Sequence, residues 1–257
     1  MANKTLKWAG IELRRLPKQE NICLSAGDEN GHIIEFVGLP GVGKTYLMNH
    51  CLKVIGQDYV TQRALTASSI SHQFKDLEDP DLKDLYKRLI DVRIRDILNG
   101  IEKADNVRYE CLRIQALANL LVNNIPVEQA YPARILTDEG ISKNFTAALL
   151  QIARGGHPGA IKALSRRSLV FLSAAPEVSA AQLTGRQDRR KAGWNKLDLL
   201  EAMTLEERIE HYADMQSRYQ SWIEELAPYT KKTVRLSRQE ALEENVEAVV
   251  EAIRSVS

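Results

Sequence analysis

The chain has 257 residues, 44% of them hydrophobic, enough to bury a sizeable core in one α/β domain with an insertion or a small lid. Its 35 lysines and arginines against 34 aspartates and glutamates leave a net charge of +1, and that balance gives no sign of nucleic acid or an anionic membrane as partner. Cys23, Cys51 and Cys111 are far apart and form no Cys-x-x-Cys pair, so they read as reduced, partly buried thiols. Met1 to Trp8 lack an apolar signal core and no stretch has the length of a membrane span, which predicts a soluble, cytoplasmic protein. A homodimer is left open.

Residues 1–31 predict an N-terminal arm or hairpin, with Ile11 to Leu16 as a short strand and Gly27-Asp28-Glu29-Asn30-Gly31 as a turn. Next comes Gly38-Leu39-Pro40-Gly41-Val42-Gly43-Lys44-Thr45, which reads G-x-x-x-x-G-K-T. It lies between an apolar run, Ile33 to Val37, and a stretch from Tyr46 to Lys53 without Gly or Pro, so a strand leads into the loop and a helix leaves it. That is the context a phosphate-cradling P-loop requires. Amides from Gly41 to Lys44 then converge at a helix N-terminus, where the dipole favours an anion. Gly38, Pro40, Gly41, Val42, Gly43, Lys44, Thr45 and Tyr46 are the predicted triphosphate site. Lys44 would reach the β- and γ-phosphates and Thr45 would ligand Mg²⁺.

Gly56 predicts a helix stop and Tyr59 to Ala64 a second strand, with Arg63 either a contact for an acceptor or a surface residue. Asp79-Pro80-Asp81 predicts a capped helix whose stripe is Leu82, Leu85, Leu89, Val92 and Ile97. A second helix is expected from Ala104 to Val122, ending at Asn123-Asn124-Ile125-Pro126. Together they make a helical insertion, residues 76–125, over the acceptor side of the pocket. Lys87, Arg88, Arg93, Arg95, Arg108 and Arg113 on it read mostly as a solvated face, with one or two free to meet an anionic acceptor.

Ala133 to Thr137 predicts a strand ending in Asp138-Glu139-Gly140. Beside a P-loop, one carboxylate can hold Mg²⁺ through water and the other can take a proton from an acceptor hydroxyl. The pair can also be a turn capping a helix near Ile141, and Asp138 can serve both purposes. Arg154-Gly155-Gly156-His157-Pro158-Gly159 reads as a loop in which His157 has no evident catalytic partner. Ser168 to Ser173 is a continuous apolar strand of the buried parallel type, followed by a helix to about Leu183. Residues 184–196, with Arg186, Arg189 and Arg190, read as a cationic lid or as an exposed basic loop. Asn195-Lys196-Leu197-Asp198 matches a guanine-recognition pattern but follows a cationic loop rather than a strand, and is read as coincidence. Thr204 to Glu207 predicts a capping box before a long helix, Lys232 to Leu236 a last strand, and Ser237 to Glu240 a second capping box before the final helix.

This order of parts resembles the nucleoside and nucleotide kinases among P-loop proteins, most nearly the thymidylate kinase-like branch. The resemblance rests on Gly38 to Thr45, on the carboxylate pair, and on residues 168–254. It implies an α/β P-loop NTPase fold, α/β/α in three layers, over residues 32–257 with a five-stranded, mostly parallel sheet. It also implies ATP with Mg²⁺, a small-molecule acceptor, and lid arginines at Arg186, Arg189 and Arg190. One departure matters. Members of that branch usually follow the Asp with Arg, whereas Asp138 is followed by Glu139, which would repel a phosphate acceptor and suit a hydroxyl that needs a base. Lys44, Asp138, Glu139 and the three lid arginines are therefore the expected catalytic residues, and Thr45 with Asp138 the expected metal ligands. A hydroxyl acceptor is expected first, a nucleoside monophosphate second, and a regulatory ATPase acting through a protein partner third.

Overall fold

The computed structural model describes residues 31–69, 77–101, 107–189 and 203–256. The expected arm, Cys23, the Asn195 to Asp198 pattern and Arg190 lie outside the described residues. Five strands form one sheet: β1 (His32–Val37), β2 (Val60–Thr61), β3 (Arg134–Thr137), β4 (Arg167–Ser173) and β5 (Lys232–Ser237), in the order β2-β3-β1-β4-β5. Every pairing is parallel, so the sheet expected to be mostly parallel is wholly so across these strands. β1 is central and buried along its whole length, as a parallel strand covered on both faces must be.

Among the described residues ten α-helices occur, in chain order: α1 (Lys44–Ile55), α2 (Gln62–Ser69), α3 (Pro80–Ile101), α4 (Val107–Ala130), α5 (Ile141–Asn144), α6 (Thr146–Arg154), α7 (Pro158–Ser165), α8 (Pro176–Arg189), α9 (Leu205–Leu226) and α10 (Leu242–Arg254). Alternation along β4 shows the three layers. Leu169 and Phe171 pack with Leu85 and Leu89 of α3, Leu149 of α6 and Leu226 of α9, whereas Val170 and Leu172 pack with Leu47 and Cys51 of α1 and Val249 and Ile253 of α10. Full burial of a leucine such as Leu85 or Leu89 contributes ~1.5–3 kcal/mol, which fixes α3 against the sheet. Burial also pushes the Cys51 thiol up to about 12, consistent with an inert packing residue.

The first helix of the insertion begins as expected: Asp79 Oδ1 accepts from the amides of Asp81 and Leu82 at 3.1 and 3.2 Å, with Pro80 in the first turn. Thr204 and Glu207 make a reciprocal capping box at the start of α9. Four expectations need correcting. The second strand stops at Thr61, because the Thr61 hydroxyl accepts from the Ala64 amide at 3.2 Å and turns the chain into α2, leaving Arg63 exposed on a helix. The second insertion helix runs through Pro126 to Ala130. Proline disrupts the local ladder, but side chains take up nearby carbonyls: Asn124 Nδ2 donates to Leu120 O and Gln62 Nε2 to Asn123 O, both at 2.9 Å.

The helix after β4 continues to Arg189, so residues 184–189 of the expected lid are helical. Ser237 to Glu240 is a turn rather than a capping box. Ser237 is held in β5 by its pairing with Ser173, and α10 starts after Ala241 with no side-chain cap.

Candidate functional site

The loop after β1 departs from ordinary backbone where its glycines permit it. Gly38 has φ 137° and Gly43 φ 102°, the latter as the left-handed N-cap of α1. A Cβ on Gly38 would also collide with the Leu172 carbonyl of β4. No side chain caps α1 and its first turn holds no acidic residue, so the positive end of the helix has no anion of its own. Lys44 is buried, with Nζ donating to the carbonyls of Gly38 and Leu39 at 2.9 and 2.8 Å, inside the curve of the loop. Thr45 is exposed, and its hydroxyl donates to Asp138 Oδ2 at the end of β3. Pro40 and Tyr46 are exposed beside them, whereas Val42 is fully buried and anchors the loop in the core.

The carboxylate turn is held from several sides. β3 lies next to β1, with Thr137 paired opposite Glu35, and this register brings Asp138 to the loop. Thr137 Oγ1 accepts from the Glu139 amide at 3.1 Å, buried Asn124 donates to Glu139 O at 3.0 Å, and Lys143 Nζ donates to Asp138 O at 3.2 Å. The expectation that Asp138 caps the next helix is not met: Gly140 is the N-cap of α5 and has no side-chain bond. Glu35 of β1 does this work from the neighbouring strand, its Oε1 accepting the Lys143 amide at 2.7 Å. Gly140 has no Cβ because the Glu35 carboxylate occupies that space.

Glu35 belongs to a buried charge cluster. Its Oε2 lies 3.4 Å from Arg167 Nε; Arg167 pairs in turn with Glu128 of α4, and Tyr86 of α3 donates to Glu128 at 3.4 Å. Burial pushes the Glu35 carboxyl above the usual carboxylate range against the pull of Arg167 and the Lys143 amide, and burial followed by the Glu128 charge raises Tyr86 well above its ordinary value. The cluster ties the carboxylate turn to the helical pair α3 and α4. Its signal in the sequence is the lone carboxylate of Glu35 within the apolar run Ile33 to Val37, which composition and spacing do not connect to Arg167 or Glu128.

Asp138 and Glu139 face different surroundings. Asp138 meets Thr45, whereas Glu139 pairs with Lys143 at 2.5 Å and lines a cavity of about 330 Å³. Arg93 and Ile97 of α3, Ala116, Leu117 and Leu120 of α4, and Asn144 and Phe145 complete its walls. A larger cleft of about 460 Å³ between α3 and α4 is almost wholly apolar and includes no residue of the loop or the carboxylate turn. The other candidates are placed elsewhere. Arg154 pairs with Glu225, and His157 caps α7 and contacts Asp84 at 2.7 Å, so both have structural partners. Arg186 and Arg189 lie on the last turns of α8. Arg238, assigned by sequence to a capping box, instead donates to Gly41 O at 3.3 Å and borders the loop.

A parallel sheet in this strand order with G-x-x-x-x-G-K-T between β1 and α1 defines a P-loop α/β/α protein. No family profile and no curated protein matches the chain. Among solved structures it is similar to a shikimate kinase from Bacteroides thetaiotaomicron, with TM-score 0.43 and 10% identity over 87% of this chain and 98% of that one. It is also similar to an uncharacterized protein from Eubacterium ventriosum, with TM-score 0.37 and 8% identity over the same shares, 87% and 98%. Likenesses of this degree carry no argument about a substrate, nor do they single out the thymidylate kinase-like branch. No described helix is long and apolar enough to cross a membrane.

Proposed function

We propose that the chain is an ATP-dependent phosphotransferase that moves the γ-phosphoryl group to the hydroxyl of a small molecule. The observation that carries this reading is the division of the carboxylate pair, with Asp138 against the P-loop hydroxyl and Glu139 lining a cavity one residue away. A switch ATPase needs to position water; a walled cavity with its own carboxylate suits a second substrate.

The roles follow from placement. The uncapped N-terminus of α1 and the Gly38–Gly43 backbone would bind the phosphates, and Lys44 would turn from its own loop carbonyls to the β- and γ-phosphates. The hydroxyl of Thr45 and carboxylate of Asp138, hard oxygen donors already in contact, fit Mg²⁺, which when bound neutralises charge on the β- and γ-phosphate oxygens. Glu139 is assigned as the base that receives the acceptor proton, with Lys143 holding its carboxylate in place. A bound acceptor would cover the exposed Glu139 carboxylate and displace water there, so that transfer competes with hydrolysis. Arg186, Arg189 and Arg190 are assigned to close over the transferring group.

A nucleoside monophosphate acceptor is the second reading, because the cation needed to replace the missing clamp is present at the cavity as Arg93. Incubation with ATP, Mg²⁺ and panels of alcohols, sugars, nucleosides and nucleoside monophosphates, followed by ³¹P NMR, tests both. A new phosphomonoester signal is expected from the alcohol set; a nucleoside diphosphate other than the ADP released from ATP, formed only with the monophosphates, favours the second reading. Orthophosphate alone in every mixture contradicts both and favours a regulatory ATPase.

A further inference from the structure

Resting on that transferase reading, we infer that the cavity beside Glu139 takes an acceptor bearing an oxyanionic group and an apolar body, with Arg93 binding the oxyanion. Neighbouring arginines of α3 provide the contrast. Arg88 pairs with Asp84 at 3.0 Å and Arg95 with Asp91 at 2.5 Å, each along the exposed face of the helix. Arg93 instead lines the cavity, and its partner among the described residues, Asp96, is 3.8 Å away, too far for a hydrogen bond. Its guanidinium therefore has donors available in the planar fork that matches a carboxylate or phosphate.

The remaining walls set the body of the ligand. Ile97 and Phe145 are buried at 3% exposure, and Leu117 and Leu120 join them as an apolar floor. Glu139 supplies a carboxylate in the same cavity, and among the described residues no ion pair joins it to Arg93. A ligand with its hydroxyl at Glu139, which Lys143 already holds in place, its oxyanion at Arg93 and hydrocarbon between meets each part of the cavity with matching chemistry. A cationic or uniformly hydroxylated ligand does not.

Matched probes test this: 3-hydroxybenzoate, 3-hydroxycyclohexanecarboxylate and 3-hydroxybutyrate, their primary amides, and the monophosphate esters of the corresponding diols. Binding is measured by NMR titration in the presence of a non-hydrolysable ATP analogue and Mg²⁺, and phosphoester formation is followed separately with ATP. At least one oxyanionic probe should bind about tenfold or more tightly than its amide, carboxylate and ester arms revealing which oxyanion is preferred. Arg93→Gln should bring that ratio to about one, Arg93→Lys should restore part of it, and Arg95→Gln should leave it unchanged. Amides binding as well as acids, no probe binding at all, or a ratio that survives Arg93→Gln would overturn the inference. If oxyanions bind through Arg93 but no phosphoester forms, the subsite stands and the transferase reading fails. If only neutral alcohols are phosphorylated, the transferase reading stands and the subsite falls.

Discussion

At the phosphate end of the site one continuous stretch, Gly38 to Thr45, supplies the loop, the lysine and the hydroxyl, and its shape is set by glycine backbone. At the acceptor end the walls come from α3, α4 and the segment after β3, and what sets their positions is tertiary packing with a buried charge cluster. A local site tolerates change elsewhere in the molecule; an assembled one moves when the elements that carry it move. Glu35 and Arg167 join the two ends, since Glu35 lies in the strand that feeds the loop and holds the turn that carries Glu139.

The sharpest way to break this comparison is Arg167→Met. It would leave the Glu35 and Glu128 carboxylates buried with their shared cation removed, at a cost of ~3–5 kcal/mol, read as a lower urea midpoint. A change below about 1 kcal/mol would show that the cluster does not hold the two ends together.

Lys44→Ala addresses the phosphate end alone. Loss of a cation aimed at the transferring group should slow turnover ~10²–10³-fold, or ~2.7–4 kcal/mol, while probe binding at the acceptor cavity persists. Loss of binding at both ends would show that they are not separable.

A smaller effect concerns the framework beneath both. Burial, then the charges of Lys231 and Arg134, lower the His32 imidazole from 6.5 to about 4, with Nε2 2.7 Å from Ser168 Oγ. In the unfolded chain the imidazole takes a proton near 6.5, but in the folded chain it resists until about 4. Stability is therefore whole above pH 6.5 and declines as the pH falls toward 4, by on the order of 3 kcal/mol. Urea midpoints across that range should fall less steeply for His32→Gln than for the unaltered chain; parallel curves would contradict the assignment.

The same contrast explains what the sequence made legible. The loop, the central strand and the helix after it are local in sequence, so composition and spacing sufficed for them, and the apolar run at Leu169 to Leu172 announced a buried parallel strand. Asn-Asn-Ile-Pro is a breaker in isolation, so the sequence places a helix stop at Asn124. Side-chain bonds from Asn124 and Gln62 across α4 override that preference and bring Asn124 to the Glu139 carbonyl. Strand pairing likewise overrode the capping signature at Ser237. Arg93 could not be told from Arg88 or Arg95 by type, since only the packing of α3 against α4 decides which arginine meets the cavity.

The measurement that bears most directly on the central claim follows the fate of the γ-phosphate with Glu139→Gln and the unaltered chain, using an acceptor found by the ³¹P screen. The account predicts phosphoester formation slowed about 100-fold or more by the substitution, with ATP binding unchanged. Equal phosphoester formation by both proteins would contradict the assignment of Glu139 as the base, and a screen in which every acceptor leaves orthophosphate as the only destination of the γ-phosphate would contradict the transferase itself.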